Sequence, residues 1–568
     1  MTPGAFVSAP ALLHCVFEVH SEGISKLVWL LKVLLSQKKG SSGVAQKDII
    51  FIIVAEQAFI HSADSSRDFS YGNEQLFTAI SGTYLPLLNL FCRLEEEKVP
   101  FKLGMVMGAP LCTLLADAHV QKQYIDWLDK RIALGEEELE RTQDDPAMLE
   151  NVRYCLRKLQ KDKLDFTETY GQNLLKKFRH FADNGSVEFI PTAATYAYLP
   201  HFADIRETLC AQVETGLHAQ RTFFGETGEG FFLPYMGWAE GFEKLLRSYG
   251  INYTVLDARA LLFSGTPCST GIFSPVRTNN SLVIFGQDST VTERMSGADG
   301  FMRNSVYRNQ QRDAGYDLPD DALESFLGKN KIRLQTQFKY WSNGGSPYEP
   351  GKAQAQAAAD AQAFFAAQKE KLVRAADALG DKDAVLVCTI PAALLGSSWH
   401  EGVLWLEQLI RAAAAQQDVT LGQCRDNLQQ QFSLQKISPY PCSSEGSGYA
   451  ENLLDSSNNW MMRYVRKASE RMSDLTERFP AESGIKARML NLGAREVLLA
   501  QSGDWAKMIH DGLMPEYAAQ AFKSNILNFT AVFDSLASNT VSTEWLCTQE
   551  KEDSIFPWMN YRVFSRKK

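Results

Sequence analysis

No two cysteines in this chain are spaced as Cys-x-x-Cys, although there are ten of them. They stand at positions 15, 92, 112, 155, 210, 268, 388, 424, 442 and 547. That scatter offers no tetrahedral zinc site. In a long chain it reads as reduced core thiols of a cytosolic protein. Long apolar runs are missing as well. Residues 27–35 and 49–55 are the most apolar stretches and are too short to span a bilayer. A surplus of basic charge is also missing: 58 Lys and Arg face 67 Asp and Glu, for a net charge of -9. A phosphate backbone demands the opposite sign, so nucleic acid is not an expected partner, whereas a neutral sugar is compatible. The first twenty residues carry no basic n-region of a signal peptide. The expectation is therefore a cytoplasmic protein with no membrane partner, no metal and no other cofactor.

What is present is bulk. The 568 residues exceed one ordinary core, and two or three structural units are expected. Ten Trp and 33 Phe suffice for a large interior, with aromatics left over for a groove. Over the first 110 residues β-like runs alternate with helical patterns. Residues 12–20, 48–56 and 101–107 read as strands, and residues 25–37 and 74–98 as helices. Apolar strands alternating with helices predict a parallel α/β sheet or barrel.

Residues 111–183 break the alternation. They are charged and almost continuously helical, with a turn at Asp144-Asp145-Pro146, and read as an insertion standing off the barrel. Strands are then expected at 187–191, 230–233, 253–256, 282–285 and 384–389. Helices are expected at 205–224, 238–249 and 354–378, with long loops at 286–350. Beyond about residue 420 the pattern is helical, at 458–479, 487–501 and 515–537. In α/β barrels chemistry sits just after the strands, which singles out His20, residues 191–200, 234–238 and 390–399.

Those segments carry a resemblance. EFIPTAATYAYLP at 188–200, GFFLPYMGW at 230–238, SVYRNQQRDAGYDLP at 305–319, IPAALLGSSWHEG at 390–402 and AQSGDW at 500–505 occur in the order of corresponding motifs of one family. The chain is identified on them as resembling glycoside hydrolase family 57, of the α-1,4-glucan branching enzyme type. The resemblance implies an incomplete (β/α)7-type barrel, formed by residues 1–110 and 184–419. It implies a helical insertion at 111–183 and a C-terminal helical domain at 420–568. It also implies an α-glucan ligand, with another glucan-metabolising enzyme as a candidate partner.

The family's retaining chemistry needs two carboxyl groups about 5–5.5 Å apart, one a nucleophile and one an acid/base. The resemblance puts the nucleophile Glu at Tyr235 and the acid/base Asp at Pro391. Two family histidines fall at Tyr196 and Ser397, while His20 matches the first-strand His. No catalytic residue is therefore expected at the family positions. Two readings follow: a glucan-binding or regulatory pseudoenzyme, and an active branching enzyme or glucanotransferase with non-standard residues.

Candidate substrate-binding residues are His20, Tyr196, Tyr235, Trp238, Trp399, Asp504 and Trp505. His20 is either a ligand contact or a hydrogen-bonded residue of the barrel floor. Trp399 and Trp238 either stack on pyranose faces, as amphipathic rings can, or pack in the core. The resemblance implies that Asp504 and Trp505 belong to a helical domain that closes over the groove, which makes them candidates to line it. Tyr196 and Tyr235 either fill the old site or stack on a glucan. Trp341 and Trp460 are weaker candidates. Glu226, Glu229, Glu240, Asp313, Asp317 and Glu401 either substitute for the lost carboxylates or, as their positions favour, serve as helix caps, ion pairs or loop anchors.

Overall fold

The computed structural model describes residues 45–61, 73–327, 332–380, 382–428 and 431–566. The strand expected at 12–20, with His20 at its end, and the helix expected at 25–37 lie outside the described residues. The elements that position the site are, in chain order, β1 (Lys47–Ala55), α1 (Glu74–Ala79), α2 (Leu85–Glu96), β2 (Leu103–Met107), α3 (Ala118–Arg141), α4 (Pro146–Leu164), β3 (Val187–Phe189) and α5 (Arg206–Phe224). There follow α6 (Phe242–Ser248), β4 (Tyr253–Leu256), α7 (Ala258–Leu262), β5 (Val276–Arg277), β6 (Val283–Gly286), α8 (Pro350–Ala378), β7 (Ala384–Pro391), α9 (Gly402–Ala414) and β8 (Thr420–Leu421). The chain ends in α10 (Met462–Arg478), α11 (Gly484–Ala500), α12 (Gly503–His510), α13 (Pro515–Ser538) and α14 (Thr543–Glu552).

β1 is central because both its faces are apolar. Ile49, Phe51 and Ile53 turn outward to the helices, while Ile50 and Ile52 turn inward with Val106, Val255, Val283 and Val387. Such two-sided burial is what parallel strands demand. β1 pairs in parallel with β2, β7 and β8, and β2 with β3. A second sheet runs β4-β6-β5, with β5 antiparallel. Isolated parallel bridges join the two sheets at Thr192–Phe232, Gly230–Tyr253 and Gln287–Val387. The ring β1, β2, β3, segment 230–232, β4, β6 and β7 thereby closes into the incomplete (β/α)7-type barrel.

The strand expected at 230–233 shrinks to bridge residues. Gly230 comes so close to the Tyr253 ring that a Cβ there would lie 2.2 Å from it. Helix α6 begins at Phe242, four residues later than expected, because the Trp238 N–H donates to the Cys442 carbonyl at 2.9 Å and Gly241 is left-handed. The hairpin α3–α4 does not stand off the barrel. Tyr124 and Trp127 are buried against the segment that follows β1, with Tyr124 hydrogen-bonded to Ser81 at 2.6 Å. Trp127 and Arg131 both donate to Glu74, at 2.9 and 2.8 Å.

The C-terminal helices lean on the barrel through a buried amide relay. Gln212 on α5 donates to Thr195 Oγ1 at 3.0 Å and to Gln501 at 2.8 Å, and Gln501 donates to Ser469 on α10 at 2.8 Å. Two helices absent from the sequence reading, α12 and α14, complete this unit. Tyr561–Phe564 form a short 3-10 turn. Among the described residues the cysteines are unpaired, and no helix is long and apolar enough to cross a membrane.

Candidate functional site

A cavity of about 710 Å³ opens at the C-terminal ends of the barrel strands and is roofed by the helical domain. Four strand ends send residues into its wall: Glu56 and Gln57 after β1, Asp257 and Arg259 after β4, Gln287 after β6, and Thr389 and Pro391 from β7. The 3-10 turn at Pro234–Met236 contributes Tyr235, and the loop after β3 contributes Tyr196. From the roof come Ser444, Glu445, Asp504 and Lys507.

Tyr196 and Tyr235 both adopt left-handed backbone, with φ of 52° and 55°. For bulky side chains that region is strained, and such strain is kept only where the surroundings enforce it. Here they do. The Tyr235 carbonyl accepts from the Ser443 hydroxyl at 2.9 Å, the Ser444 hydroxyl at 2.9 Å and the Ser444 N–H at 2.8 Å. The two rings meet edge to face with centroids 4.9 Å apart, and Tyr198 adds a third ring 6.3 Å from Tyr235. The Tyr235 hydroxyl is buried and has no hydrogen-bond partner among the described residues. Tyr196 and Tyr235 are only 6% and 7% exposed, so they fill space at the wall and offer the cavity little more than an edge.

The floor is polar and internally satisfied. Thr389 donates to Gln287, Gln287 donates to Asp257 at 3.0 Å, and Asp257 caps α7 through the Arg259 N–H at 3.1 Å. Pro391, beside Val54 in the β1–β7 register, is exposed at the rim of this floor.

The opposite wall holds charge. Lys507 pairs with Glu445 at 2.5 Å, and Asp504 accepts from the Ser502 hydroxyl at 2.8 Å. Burial, then the neighbouring carboxylates of Asp504 and Glu445, pushes the Glu56 carboxyl well above its ordinary range, with Lys507 opposing. Burial raises Asp504 to about 6, against the Ser502 hydrogen bond and Lys507. Both carboxyls are thus shifted upward in one cleft, and perturbed carboxyls gathered in a cleft are a mark of functional sites.

Of the residues singled out from sequence, the structure brings Tyr196, Tyr235, Pro391, Ser397 and Asp504 together around the cavity. Three tryptophans are elsewhere. Trp399 packs against Phe301, Tyr307 and Trp405; Trp238 packs against Phe242; and Trp505 is buried, donating to the Leu499 carbonyl at 2.9 Å. Trp341 lies under Arg312, and Trp460 under Lys523. The carboxylates weighed as substitutes are also outside. Glu226, Glu229 and Glu240 are exposed. Asp313 staples the loop through Gly315, Thr336 and Gln337, Asp317 pairs with Arg312, and Glu401 accepts from Tyr348 at 2.8 Å. The carboxylates that do line the cavity include Glu56, Glu74 and Glu445, which sequence reading misses. Glu56 was within reach of it, since it directly follows the apolar run 49–55.

Comparison with known proteins bears on this arrangement. Residues 50–343 match glycosyl hydrolase family 57, and residues 464–564 match the C-terminal region of 1,4-alpha-glucan branching enzymes. The family match begins thirty residues after His20. A 1,4-alpha-glucan branching enzyme of Thermococcus kodakarensis is 25% identical over 498 residues, covering 83% of this chain and 71% of the relative. The crystal structure of the α-amylase AmyC from Thermotoga maritima superposes with a TM-score of 0.85 at 26% identity, covering 92% of this chain and all of the other. A branching enzyme from Pyrococcus horikoshii shares the fold, with a TM-score of 0.81 at 21% identity over 92% of this chain and 97% of its own.

Proposed function

The chain belongs to glycosyl hydrolase family 57, and on that premise we propose that it is an α-glucan-binding protein of branching-enzyme type that holds glucan without cleaving it by the family's retaining mechanism. One observation carries the reading. Tyr235 and Pro391, the residues at the positions that the resemblance gives to nucleophile and acid/base, both face the cavity. Pro391 has no proton to give. Tyr235 has one, but burial, then the charges of Asp504, Glu56 and Glu445, holds its phenol far above the ordinary range, so it stays neutral and is no nucleophile. Loss of a retaining pair costs many orders of magnitude in rate.

The cavity itself remains roomy and polar, which suits a hydroxylated ligand. A regulatory place beside an active glucan-metabolising enzyme follows from the same reading. The test is direct. Purified protein incubated with amylose should leave the iodine spectrum and the reducing ends unchanged, yet migrate more slowly in gels containing glucan. Turnover at a rate usual for branching enzymes would overturn the proposal.

Glu56 and Asp504, two cavity-lining carboxyls with raised pKa values, favour a second reading, an enzyme with non-standard carboxylates. Under that reading amylose is modified, Glu56→Gln abolishes the activity and Tyr235→Phe spares it.

A further inference from the structure

Among the described residues, the exposed Phe263, Tyr440 and Tyr449 gather near the cavity-lining Arg259, with Leu262 preceding Phe263 in the chain. Leu262 and Phe263 end α7 and are 58% and 60% exposed. Tyr440 and Tyr449, from the loop that supplies Ser444 and Glu445, are 38% and 59% exposed. The Phe263 and Tyr440 rings meet edge to face at 6.0 Å, and the Tyr440 and Tyr449 hydroxyls are hydrogen-bonded at 3.3 Å. The group is anchored to the fold: the Tyr440 N–H donates to the Ala260 carbonyl at 2.9 Å.

It is also continuous with the cavity. Arg259 lines the cavity, and its guanidinium donates to the Ser443 carbonyl at 3.3 Å. The same guanidinium lies so close under Gly448 that a Cβ there would be 2.0 Å from it. Tyr449 is the next residue. Arg259 thus links the cavity wall to the loop that carries Tyr449.

We propose that Phe263, Tyr440 and Tyr449 form an outer platform for an α-glucan chain that extends from the cavity. The proposal rests on the glucan-binding reading above and deepens it. Three of the four side chains are rings, two of them with hydroxyl edges. Ring faces match the C–H faces of pyranoses, and phenol edges match their hydroxyl rims. Exposed apolar groups gathered in one place mark an interaction surface. Continuity with a polar, hydroxyl-compatible cavity selects a saccharide over a protein partner.

Maltotriose and amylose of about twenty units, titrated calorimetrically into the full-length protein, test this. The comparison protein is Phe263→Ala/Tyr449→Ala, whose changes are exposed and leave the core intact. The platform should make wild type bind the long chain at least tenfold more tightly than maltotriose. The double variant should lose most of that gain and keep its maltotriose affinity. Equal long-chain affinity in both proteins, with maltotriose still bound, overturns the platform alone. No binding of either saccharide to wild type overturns the glucan-binding reading with it. A wild-type dimer in sedimentation that the double variant abolishes makes the patch a contact between copies, and also overturns the platform.

Discussion

Gly503 and Tyr235 are packed so tightly that a Cβ on the glycine would lie 2.6 Å from the phenol oxygen and 2.7 Å from the ring. The glycine opens α12 in the helical domain, and the tyrosine sits in the left-handed turn at the barrel mouth. A Gly-to-Ala change in a helix ordinarily stabilises by up to about 1 kcal/mol. Here the Tyr235 ring is wedged against Tyr196 and Tyr198 and has nowhere to go. Gly503→Ala should lower stability by about 1–3 kcal/mol, as overpacking does. In a Tyr235→Ala background the same change should cost nothing. Urea unfolding of the four proteins of this cycle measures the coupling.

The unpartnered Tyr235 hydroxyl gives the opposite sign. Removing a buried polar atom that makes no hydrogen bond relieves its desolvation cost, so Tyr235→Phe should stabilise the protein by about 1 kcal/mol. Glucan affinity in gel retardation should be unchanged. A drop in affinity would mean that the hydroxyl serves the ligand.

Glu56 and Asp504 make stability depend on pH in the direction unusual for carboxylates. Both native pKa values are raised, so the folded protein keeps protons that the unfolded chain releases. Stability from these groups is fully present below about pH 4 and is lost as pH rises through about 6 for Asp504 and through the raised pKa of Glu56. Glu56→Gln and Asp504→Asn remove the loss. The Tm of each variant relative to wild type should therefore climb between pH 4 and pH 8. A flat difference would contradict the arrangement of charge at this wall.

The amide relay between barrel and helical domain sets a further expectation. Gln212→Ala leaves the Thr195 N–H and the Gln501 side-chain oxygen without their buried partner. The cost should be about 2 kcal/mol. Hydrogen exchange should rise first in residues 498–503, where α11 ends and α12 begins.

The sequence announces those parts of the barrel that are buried on both sides. β1, β2 and β7 carry near-continuous apolar runs and need no partner to be recognised. The segment 230–232 carries strand-like residues, yet its conformation is set by the approach of Tyr253, which no local pattern encodes. At the site, Tyr196, Tyr235, Pro391 and Asp504 follow from the motifs and from the rule that barrel chemistry lies after strands. The same rule applied to the apolar run 49–55 yields Glu56. Placing the first strand at 12–20 directs attention to His20 instead. Glu445 reaches the cavity on a loop held by Ser443 and Arg259, a tertiary placement with no periodic signature. Trp238, Trp399 and Trp505 illustrate the converse: an aromatic near a motif is drawn into the core by its bulk.

The barrel wall has a seam. Its two sheets meet through isolated bridges at 192/232, 230/253 and 287/387, where β1 and β7 are zipped along eight residue pairs. A ladder resists opening in proportion to its length, while a single rung yields to a local fluctuation. The two halves of the wall are thus held by few backbone hydrogen bonds, among them Phe232 N–H to the Pro191 carbonyl at 2.8 Å and Asp288 N–H to the Val387 carbonyl at 2.7 Å, and amide exchange at these positions should outpace that along β1.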